Sequence, residues 1–422
     1  MASSSRFLSK EHKKVMLLSS FGGMLEFYDF VIFAVFATNI GHTFFPSTDP
    51  IASVVAAFGV FAIGYIARPI GGIIFSHFGD KYGRKKSFLL SILIMAITTL
   101  AMAALPSHQA AGVTMSIIFI ALRVLQGMAI GAEIPGAITY VTEHIKNRPG
   151  LACGMIFLFI NLGIFMADGV HAILATTLPV DIMNEYGWRF AFVFGGILAA
   201  MSYVLRSNML ESPAFTQIRN ATSRVPIGRL LRNHKKSVLL GTMIISIQAT
   251  IISMIYLFIT SYLNMTHQYS ADEIALLTLI PLFIFSCVIL FGGWLGDKVG
   301  LKPVLISATI LFILSVYSFF DMLLTHQYPM IAYIVIAIIS GLIIGNVTAL
   351  LATLFPTKVR YTGIALCYNL AFAIFGGLTP MIATYWIDKT HNMLAPAWVA
   401  IIICLFGLIG VFLTKRNDSE AV

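Results

Sequence analysis

The chain has 422 residues, of which 58% are hydrophobic and 11% are charged, and its formal net charge is +9. Soluble domains are about 45–50% apolar and about 25% charged, so a water-soluble fold of this length would expose too much apolar surface. A lipid-facing protein is predicted instead, which excludes ordinary soluble enzymes. The basic residues lie in short loops between apolar runs, and this placement argues against a nucleic-acid partner.

Apolar runs of membrane-spanning length follow one another along the chain. We predict twelve spans, at 15–38, 51–75, 87–105, 112–138, 151–176, 189–206, 237–263, 273–295, 303–324, 329–352, 363–386 and 395–414. The first run is interpreted as a span and not as a cleavable signal, because it is long and carries two acidic residues. The prediction is an all-α integral membrane fold with six-helix bundles at 1–206 and 237–422 and a cytoplasmic linker at 207–236.

Lysine and arginine are distributed asymmetrically about these spans. Nearly all of the 27 fall in segments on one side, and the exceptions are Arg68, Arg123, Arg189 and Lys389. The positive-inside rule therefore predicts that both termini are cytoplasmic.

The two halves of the chain repeat weakly. A glycine–aspartate–lysine segment begins at Gly79 after the second span and recurs at Gly296 after the eighth. Gly127 in the fourth span likewise recurs as Gly341 in the tenth. Two parallel repeats of six spans are typical of secondary transporters, whereas a channel would need a selectivity filter or an oligomeric pore.

These loops resemble the signature of the major facilitator superfamily, and within it the sequence is similar to the metabolite:proton symporters. The further matching segments are Gly23–Phe30, Ala67–Gly72, Arg123–Gly127, Trp188–Arg189, Glu211–Phe215 and Arg360–Gly363. Phe27 replaces the usual tryptophan, and Ala132 stands where the family often has glycine, so the substrate stays open.

The resemblance implies a monomeric carrier in the bacterial inner membrane. Such carriers move a small organic solute together with protons by alternating access, without ATP and without a cofactor. Their substrates include di- and tricarboxylates, 2-oxoglutarate, shikimate, and proline or betaine. The expected partners are therefore the solute, protons and the lipid bilayer. An efflux carrier of the same fold is the alternative, and no residue spacing indicates a metal site.

Glu26 and Asp29 lie near the middle of the first span, three residues apart and therefore on one helix face. A carboxylate in hydrocarbon costs about 2.5–3.5 kcal/mol, so it is expected to face the bundle interior and a partner. Arg123, the deepest cation, is predicted to be that partner. Because a buried carboxyl group can exchange a proton near neutral pH, these residues predict a proton-coupling site. Protonation would free Arg123 to bind a substrate carboxylate; a permanent structural ion pair is the alternative.

Two further sets of ionisable residues lie within spans. Glu133 is interpreted either as a second protonation site or as a structural partner of Arg68 or of a loop arginine. Asp168 and His171 are three residues apart in the outer half of span five, where they would line a vestibule and relay protons. A hydrogen-bonded pair near the membrane surface is the alternative for these two.

The remaining candidates fall into two groups. Gating is assigned to Arg68, Gly79, Asp80, Gly83, Arg84, Asp297 and Arg360. By resemblance, Asp80 would also cap the start of span eleven. Neutral candidates for substrate binding are Tyr28, Gln126, Gln248, Tyr256, Asn346, Tyr368 and Asn369. Spans seven, eight, ten and eleven contain no deep charged residue, so the charged chemistry is predicted to lie in the first half of the chain.

Overall fold

The computed structural model describes residues 10–47, 50–218 and 226–414, and every regular element in these ranges is helical. The long helices of the first half are α1 Lys10–Val35, α2 Pro50–Tyr82, α3 Arg84–Ala104, α4 Val113–His144, α5 Pro149–Thr177 and α6 Trp188–Ser207. Short helices lie at Ala37–Phe44, His108–Ala111, Val180–Ile182, Met183–Gly187 (a π-helix), Pro213–Ile218 and Pro226–Asn233.

Two helices of the second half each contain a π-helical turn. Helix α7 runs through Lys235–Ile251, the π-turn Ile252–Leu257 and Ile259–Thr266. It is followed by α8 Ala271–Val299, α9 Leu301–Leu324, α10 Pro329–Ala352 and a 3-10 turn at Thr357–Val359. Helix α11 runs through Arg360–Ala371, the π-turn Phe372–Gly376 and Leu378–Thr390, and α12 is Ala395–Leu413.

The lengths of these helices fit a membrane. Within the described ranges, 11 helical segments are long and apolar enough to cross a bilayer. The remaining predicted span corresponds to α2, whose 33 residues exceed the roughly 20 that a crossing requires. The prediction of an all-α fold with twelve spans is confirmed.

Glycine at the repeated loops has a backbone function. Gly83 precedes α3 and Gly300 precedes α9, and both have a φ of 119°. Residues other than glycine rarely adopt this backbone conformation, so the same turn requires glycine in both halves. The turn lets α3 and α9 begin immediately after α2 and α8 end.

The helices form two compact units. The N unit comprises Met1–Tyr140 and Phe159–Val225, and the C unit comprises Val141–Leu158 and Pro226–Val422. The end of α4 and the start of α5 therefore pack with the second half of the chain, although the sequence halves place them in the first.

Close helix packing builds each unit. In the N unit α6 packs on α1 and α3, and in the C unit α10 packs on α8 and α9. A Cβ on Gly127 of α4 would overlap the carbonyl of Gly64 on α2. Gly345 of α10 stands in the same relation to the carbonyl of Ile289 on α8. These glycines thus allow backbones to approach, as small residues do in membrane helix pairs.

Candidate functional site

Helices α1, α3 and α4 of the N unit bring four polar side chains together. Arg123 Nη1 lies 3.5 Å from Asp29 Oδ2, and Gln126 Nε2 donates to the same oxygen at 2.6 Å. Thr99 Oγ1 donates to Asp29 Oδ1 at 3.1 Å, and Arg123 also donates to Gln126 Oε1. Asp29, Arg123 and Gln126 are buried. Arg123, which was predicted to pair with Asp29 or Glu26, thus lies beside Asp29. We call these four residues the Asp29 network.

The local sequence explains how the Arg123 side chain is held. Arg123 and Gln126 are three residues apart on α4, so both point to the same face of that helix. The guanidinium carbon of Arg123 lies 4.3 Å from the ring centroid of Phe33 on α1. On the other side Gly64 leaves room for it, since a Cβ there would lie 3.1 Å from Arg123 Nε. The guanidinium is thus held between an aromatic face, a glycine and a carboxylate.

The second acid of α1 has its own partner. Arg68 Nη2 on α2 lies 3.1 Å from Glu26 Oε1, and both side chains are buried. Arg68 was predicted to act in gating, and its observed contact is with a predicted proton-coupling residue. Glu26 and Asp29 are thus each paired with a different arginine.

Glu133 is enclosed more completely than the other two acids. Arg206 Nη1 lies 2.5 Å from Glu133 Oε1, and Ser91 donates to Glu133 Oε2 at 2.9 Å. Arg206 also donates to the carbonyls of Leu18 and Ser19, at 2.8 and 3.0 Å. The sequence offered Arg68 or a loop arginine as the partner of Glu133, and the observed partner is Arg206, which lies within α6 near its end.

Three other predicted residues of the N unit lie outside the Asp29 network. Tyr28 is buried, and its hydroxyl donates to the carbonyl of Ala191 on α6 at 2.8 Å. Asp168 is exposed on α5. His171 is half-buried, with its ring 5.4 Å from that of Phe36.

In the C unit, two predicted residues on α7 carry polar groups that lack partners. Gln248 is fully buried, and neither its amide oxygen nor its amide nitrogen has a hydrogen-bond partner among the described residues. The ring of Tyr256 stacks on that of Phe285 with centroids 4.3 Å apart. The Tyr256 hydroxyl lies beside that of Ser340, and neither forms a hydrogen bond of normal geometry within the described ranges.

The other neutral candidates of the C unit contact neighbouring helices or their own. Asn346 Nδ2 donates to the carbonyl of Gly292 on α8 at 2.9 Å. The ring of Tyr368 stacks on Phe372 with centroids 4.6 Å apart. The Asn369 amide donates to a carbonyl of its own helix at 2.9 Å. Asn346 thus joins α8 to α10. Gln248 and Tyr256 instead have buried polar atoms without normal hydrogen bonds among the described residues.

The π-helical turns of α7 and α11 contact each other. Ser253 Oγ in the turn of α7 donates to the carbonyl of Gly376 in the turn of α11 at 2.6 Å. π-Turns within α-helices are often found at functional positions. These turns were not predicted, because their apolar composition suits a regular α-helix equally well.

The loop after α2 is held by Glu211, a residue to which the sequence assigned no role beyond its place in the Glu211–Phe215 segment. Arg84 Nη2 lies 3.1 Å from Asp80 Oδ1, and Arg84 Nη1 donates to the carbonyl of Gly79 at 3.3 Å. Glu211, which follows α6, accepts from the backbone N–H groups of Arg84 and Lys85 at 3.0 and 3.3 Å. Glu211 therefore caps the start of α3.

The equivalent loop after α8 makes a similar contact within the C unit. Asp297 accepts from the backbone N–H groups of Gly150 and Leu151 at 2.7 and 2.8 Å, so it caps the start of α5. Arg360, at the start of α11, lies 3.4 Å from Glu143 near the end of α4. Asp297 thus makes the kind of helix-capping contact that the resemblance implies for Asp80 at span eleven.

A cavity of about 840 Å³ opens in the N unit at the ends of α3 and α6. Its charged lining residues include Glu185 and Arg189. Arg189 Nη1 donates to the carbonyls of Ala103 and Leu105 at 2.6 and 2.7 Å, which satisfies the end of α3. The predicted site residues do not line this cavity.

Family comparisons cover almost the whole chain. The model of sugar and other transporters matches residues 15–225, and the model of the major facilitator superfamily matches residues 238–422. The chain is 31% identical to the inner membrane metabolite transport protein YhjE of Escherichia coli K12, over 97% of this chain and 95% of that protein. It is 29% identical to a citrate-proton symporter of Klebsiella pneumoniae, over 95% and 91%.

A solved structure shares the fold. The proton:xylose symporter XylE, bound to 6-bromo-6-deoxy-D-glucose, superposes with a TM-score of 0.80 at 17% identity, covering 96% of this chain and 95% of that one. The chain therefore belongs to the major facilitator superfamily and is a membrane transporter, not an enzyme.

Proposed function

We propose that this transporter is a proton-coupled symporter that takes up a small organic solute carrying a carboxylate, by alternating access. The observation that carries the proposal is the Asp29 network, in which a buried acid and a buried arginine neutralise each other. Both are buried in the N unit, and Gln126 contacts the two of them.

The network couples proton and solute through one shared guanidinium. When a proton neutralises Asp29, Arg123 loses the charge of that carboxylate and keeps its contacts with Gln126 and the Phe33 ring. Loss of that buried charge pairing is unfavourable for the guanidinium, so the solute carboxylate is drawn to Arg123, which can bind it with two parallel hydrogen bonds. When Asp29 loses the proton, it competes for Arg123 and the solute is released.

The size of the effect is adequate for coupling. Two unit charges about 4 Å apart interact by about 4 kcal/mol at an effective dielectric constant near 20. A factor of ten in affinity corresponds to about 1.4 kcal/mol. Neutralising Asp29 can therefore change solute affinity by orders of magnitude, even when much of the interaction is screened.

We assign the proton to Asp29 in preference to the other paired acids of the N unit. Glu133 accepts from both Arg206 and Ser91, and Arg206 is further fixed by two backbone carbonyls. We therefore interpret the Glu133–Arg206 pair, at 2.5 Å, as structural, whereas Arg123 lies 3.5 Å from Asp29. Glu26 lies beside Arg68 and is proposed as the second protonation site.

Further roles complete the proposal. Gln248 and Tyr256 would bind uncharged groups of the solute with the polar atoms that the protein leaves unpaired. We propose that the contacts of Glu143 with Arg360 and of Asp297 with the start of α5, which join the first half of the chain to the second, act in gating. The asymmetric distribution of lysines and arginines about the spans supports cytoplasmic termini. We propose that the protein is a monomer in the bacterial inner membrane.

Transport by reconstituted protein tests the proposal. Liposomes with an inward proton gradient would be given labelled glycine betaine, proline, citrate or 2-oxoglutarate. We expect uphill accumulation of at least one of these by the wild type. Asp29→Asn should abolish accumulation but keep solute exchange, because Arg123 can still bind the solute while the proton site is lost.

The control variant is Asp181→Asn, an exposed acid before α6 that lies outside the network. It should accumulate solute as the wild type does. Accumulation by Asp29→Asn at the wild-type level would reject the assignment, and proton-driven extrusion of every probe would favour the efflux alternative.

A further inference from the structure

Asp168 is an acid of the N unit to which the proposed cycle gives no role. It lies within α5, nine residues before that helix ends, and is therefore more than two turns from either end. An ionisable side chain at such a depth is expensive and usually marks a functional position.

Asp168 differs from the other acids in the middle of the long helices of the N unit. Glu26, Asp29 and Glu133 each pair with an arginine. In the described part of the chain, Asp168 forms no hydrogen bond and no ion pair, and its electrostatic neighbour is His171. Its negative charge is thus available to a ligand.

The helical repeat shows which way Asp168 points. Gly150 lies eighteen residues earlier, which is five turns, so the two residues share one face of α5. Gly150 is on the face that packs against α8, where its N–H donates to Asp297. The exposed apolar residues Leu162 and Ile173 point about 120–140° away from Asp168. Asp168 therefore lies away from the apolar stripe that suits lipid.

The residue next to Asp168 and the residue on which Arg123 stacks belong to the same buried cluster. Ala167, which precedes Asp168, belongs to a cluster that also contains Phe33, and the Arg123 guanidinium stacks on Phe33. The N unit thus presents a cation and an unpaired anion around one group of side chains. A ligand with both a carboxylate and a positive group would match the two.

We propose that Asp168 binds the positively charged group of the solute and so makes the transporter selective for zwitterions, such as amino acids or quaternary-ammonium acids. The inference rests on the proposed function, in which Arg123 holds the carboxylate. A solute with a carboxylate alone would leave Asp168 uncompensated and would be repelled by it. Discrimination would therefore come from both attraction and repulsion.

Isosteric ligands that differ in a single atom test this inference. Glycine betaine and 3,3-dimethylbutanoate have the same shape, but a quaternary nitrogen in the first is a carbon in the second. Proline and cyclopentanecarboxylate form a second pair of this kind. We expect the wild type to bind at least one zwitterion about tenfold or more tightly than its carbon analogue, as measured by calorimetry.

Variants of Asp168 then locate the selectivity. Asp168→Asn should weaken binding of the zwitterion, so that the two affinities of a pair become similar. Asp168→Glu should still bind the zwitterion more tightly than its carbon analogue. Asp181→Asn should leave the preference unchanged. The inference is overturned if the wild type binds no zwitterion, if it binds the analogues equally well, or if Asp168→Asn keeps the full preference.

Failure of this inference is distinguishable from failure of the proposed function. The two members of each pair share the carboxylate, so their affinity ratio does not report on Asp29. Uphill accumulation by Asp29→Asn reports on the proton site and does not depend on the ligand's positive group.

Discussion

Helices α1 and α7 begin the two halves of the chain, and they bury different kinds of polar group. Helix α1 carries Glu26 and Asp29, and both acids are paired with arginines. Helix α7 carries Gln248 and Tyr256 instead, whose polar atoms have no normal hydrogen bond among the described residues. The middle of α1 therefore contributes acids with arginine partners, and α7 contributes an amide and a hydroxyl without normal hydrogen bonds in the described ranges.

This difference has energetic consequences of opposite sign. Removing one member of a buried ion pair leaves a charge that costs about 3–5 kcal/mol. Removing an unsatisfied neutral group instead relieves a desolvation cost of about 1–3 kcal/mol. Equivalent substitutions in the two units should therefore change the free energy of unfolding in opposite directions.

The largest effect is expected for Arg206→Met in the N unit. The variant leaves Glu133 buried with Ser91 but without its cation, and we expect it to lose about 3–5 kcal/mol or to fail to fold. Thermal unfolding in detergent measures the loss. The double variant Arg206→Met/Glu133→Gln should recover much of it, and a single variant with wild-type stability would break the comparison.

A smaller loss is expected for Gly22→Ala. A Cβ at Gly22 would overlap Glu133 Oε1 and Arg206 Nη2, so this ion pair has to shift. Overpacking of this kind costs about 1–3 kcal/mol, which would appear as a lower thermal midpoint. Gly169→Ala is the matched control, because no atom beyond its chain neighbours and its own helix backbone lies within 4 Å of its Cβ position. Equal midpoints for the two variants would contradict the tight enclosure of Glu133.

Glu211→Gln should have a moderate effect on stability and none on the chemistry. The change weakens a charged cap on the backbone N–H groups of Arg84 and Lys85, worth about 0.5–2 kcal/mol. We expect a lower thermal midpoint with unchanged affinity for the solute. Lost solute affinity with an unchanged midpoint would indicate that Glu211 acts at the binding site.

The smallest effect on stability, and the one with opposite sign, is expected for Gln248→Leu in the C unit. Leucine fills a similar volume and removes the amide that lacks partners, so stability should stay level or rise by about 1 kcal/mol. Solute affinity should fall at the same time. Destabilisation as large as that of Arg206→Met would show that Gln248 has a structural partner.

The sequence predicted the elements of the fold and part of the charged site for identifiable reasons. Long apolar runs and the one-sided distribution of lysine and arginine predict the spans directly. The bilayer requires an apolar run of a given length for each span, and charged loops follow the positive-inside rule. The pairing of Arg123 with Asp29 followed from the cost of leaving either one alone in hydrocarbon.

Other contacts were out of reach of the sequence because they depend on tertiary packing. From the sequence, Arg206 is predicted to be one of the cytoplasmic cations at the end of a span. In the structure its side chain is buried and pairs with Glu133. Glu211 was visible as part of a motif, but its partners at Arg84 and Lys85 lie far earlier in the chain. The π-turn at Ile252–Leu257 consists largely of apolar residues that would equally suit a regular helix.

Counting the protons that accompany solute binding tests the shared role of Asp29 and Arg123 most directly. Calorimetry in buffers of different ionisation enthalpy gives this number for whichever of glycine betaine, proline, citrate and 2-oxoglutarate binds most tightly. The account predicts that affinity rises as pH falls, that the wild type takes up about one proton per solute where Asp29 is ionised, and that Asp29→Asn takes up none. The same proton uptake in Asp29→Asn, or none in the wild type, would contradict it.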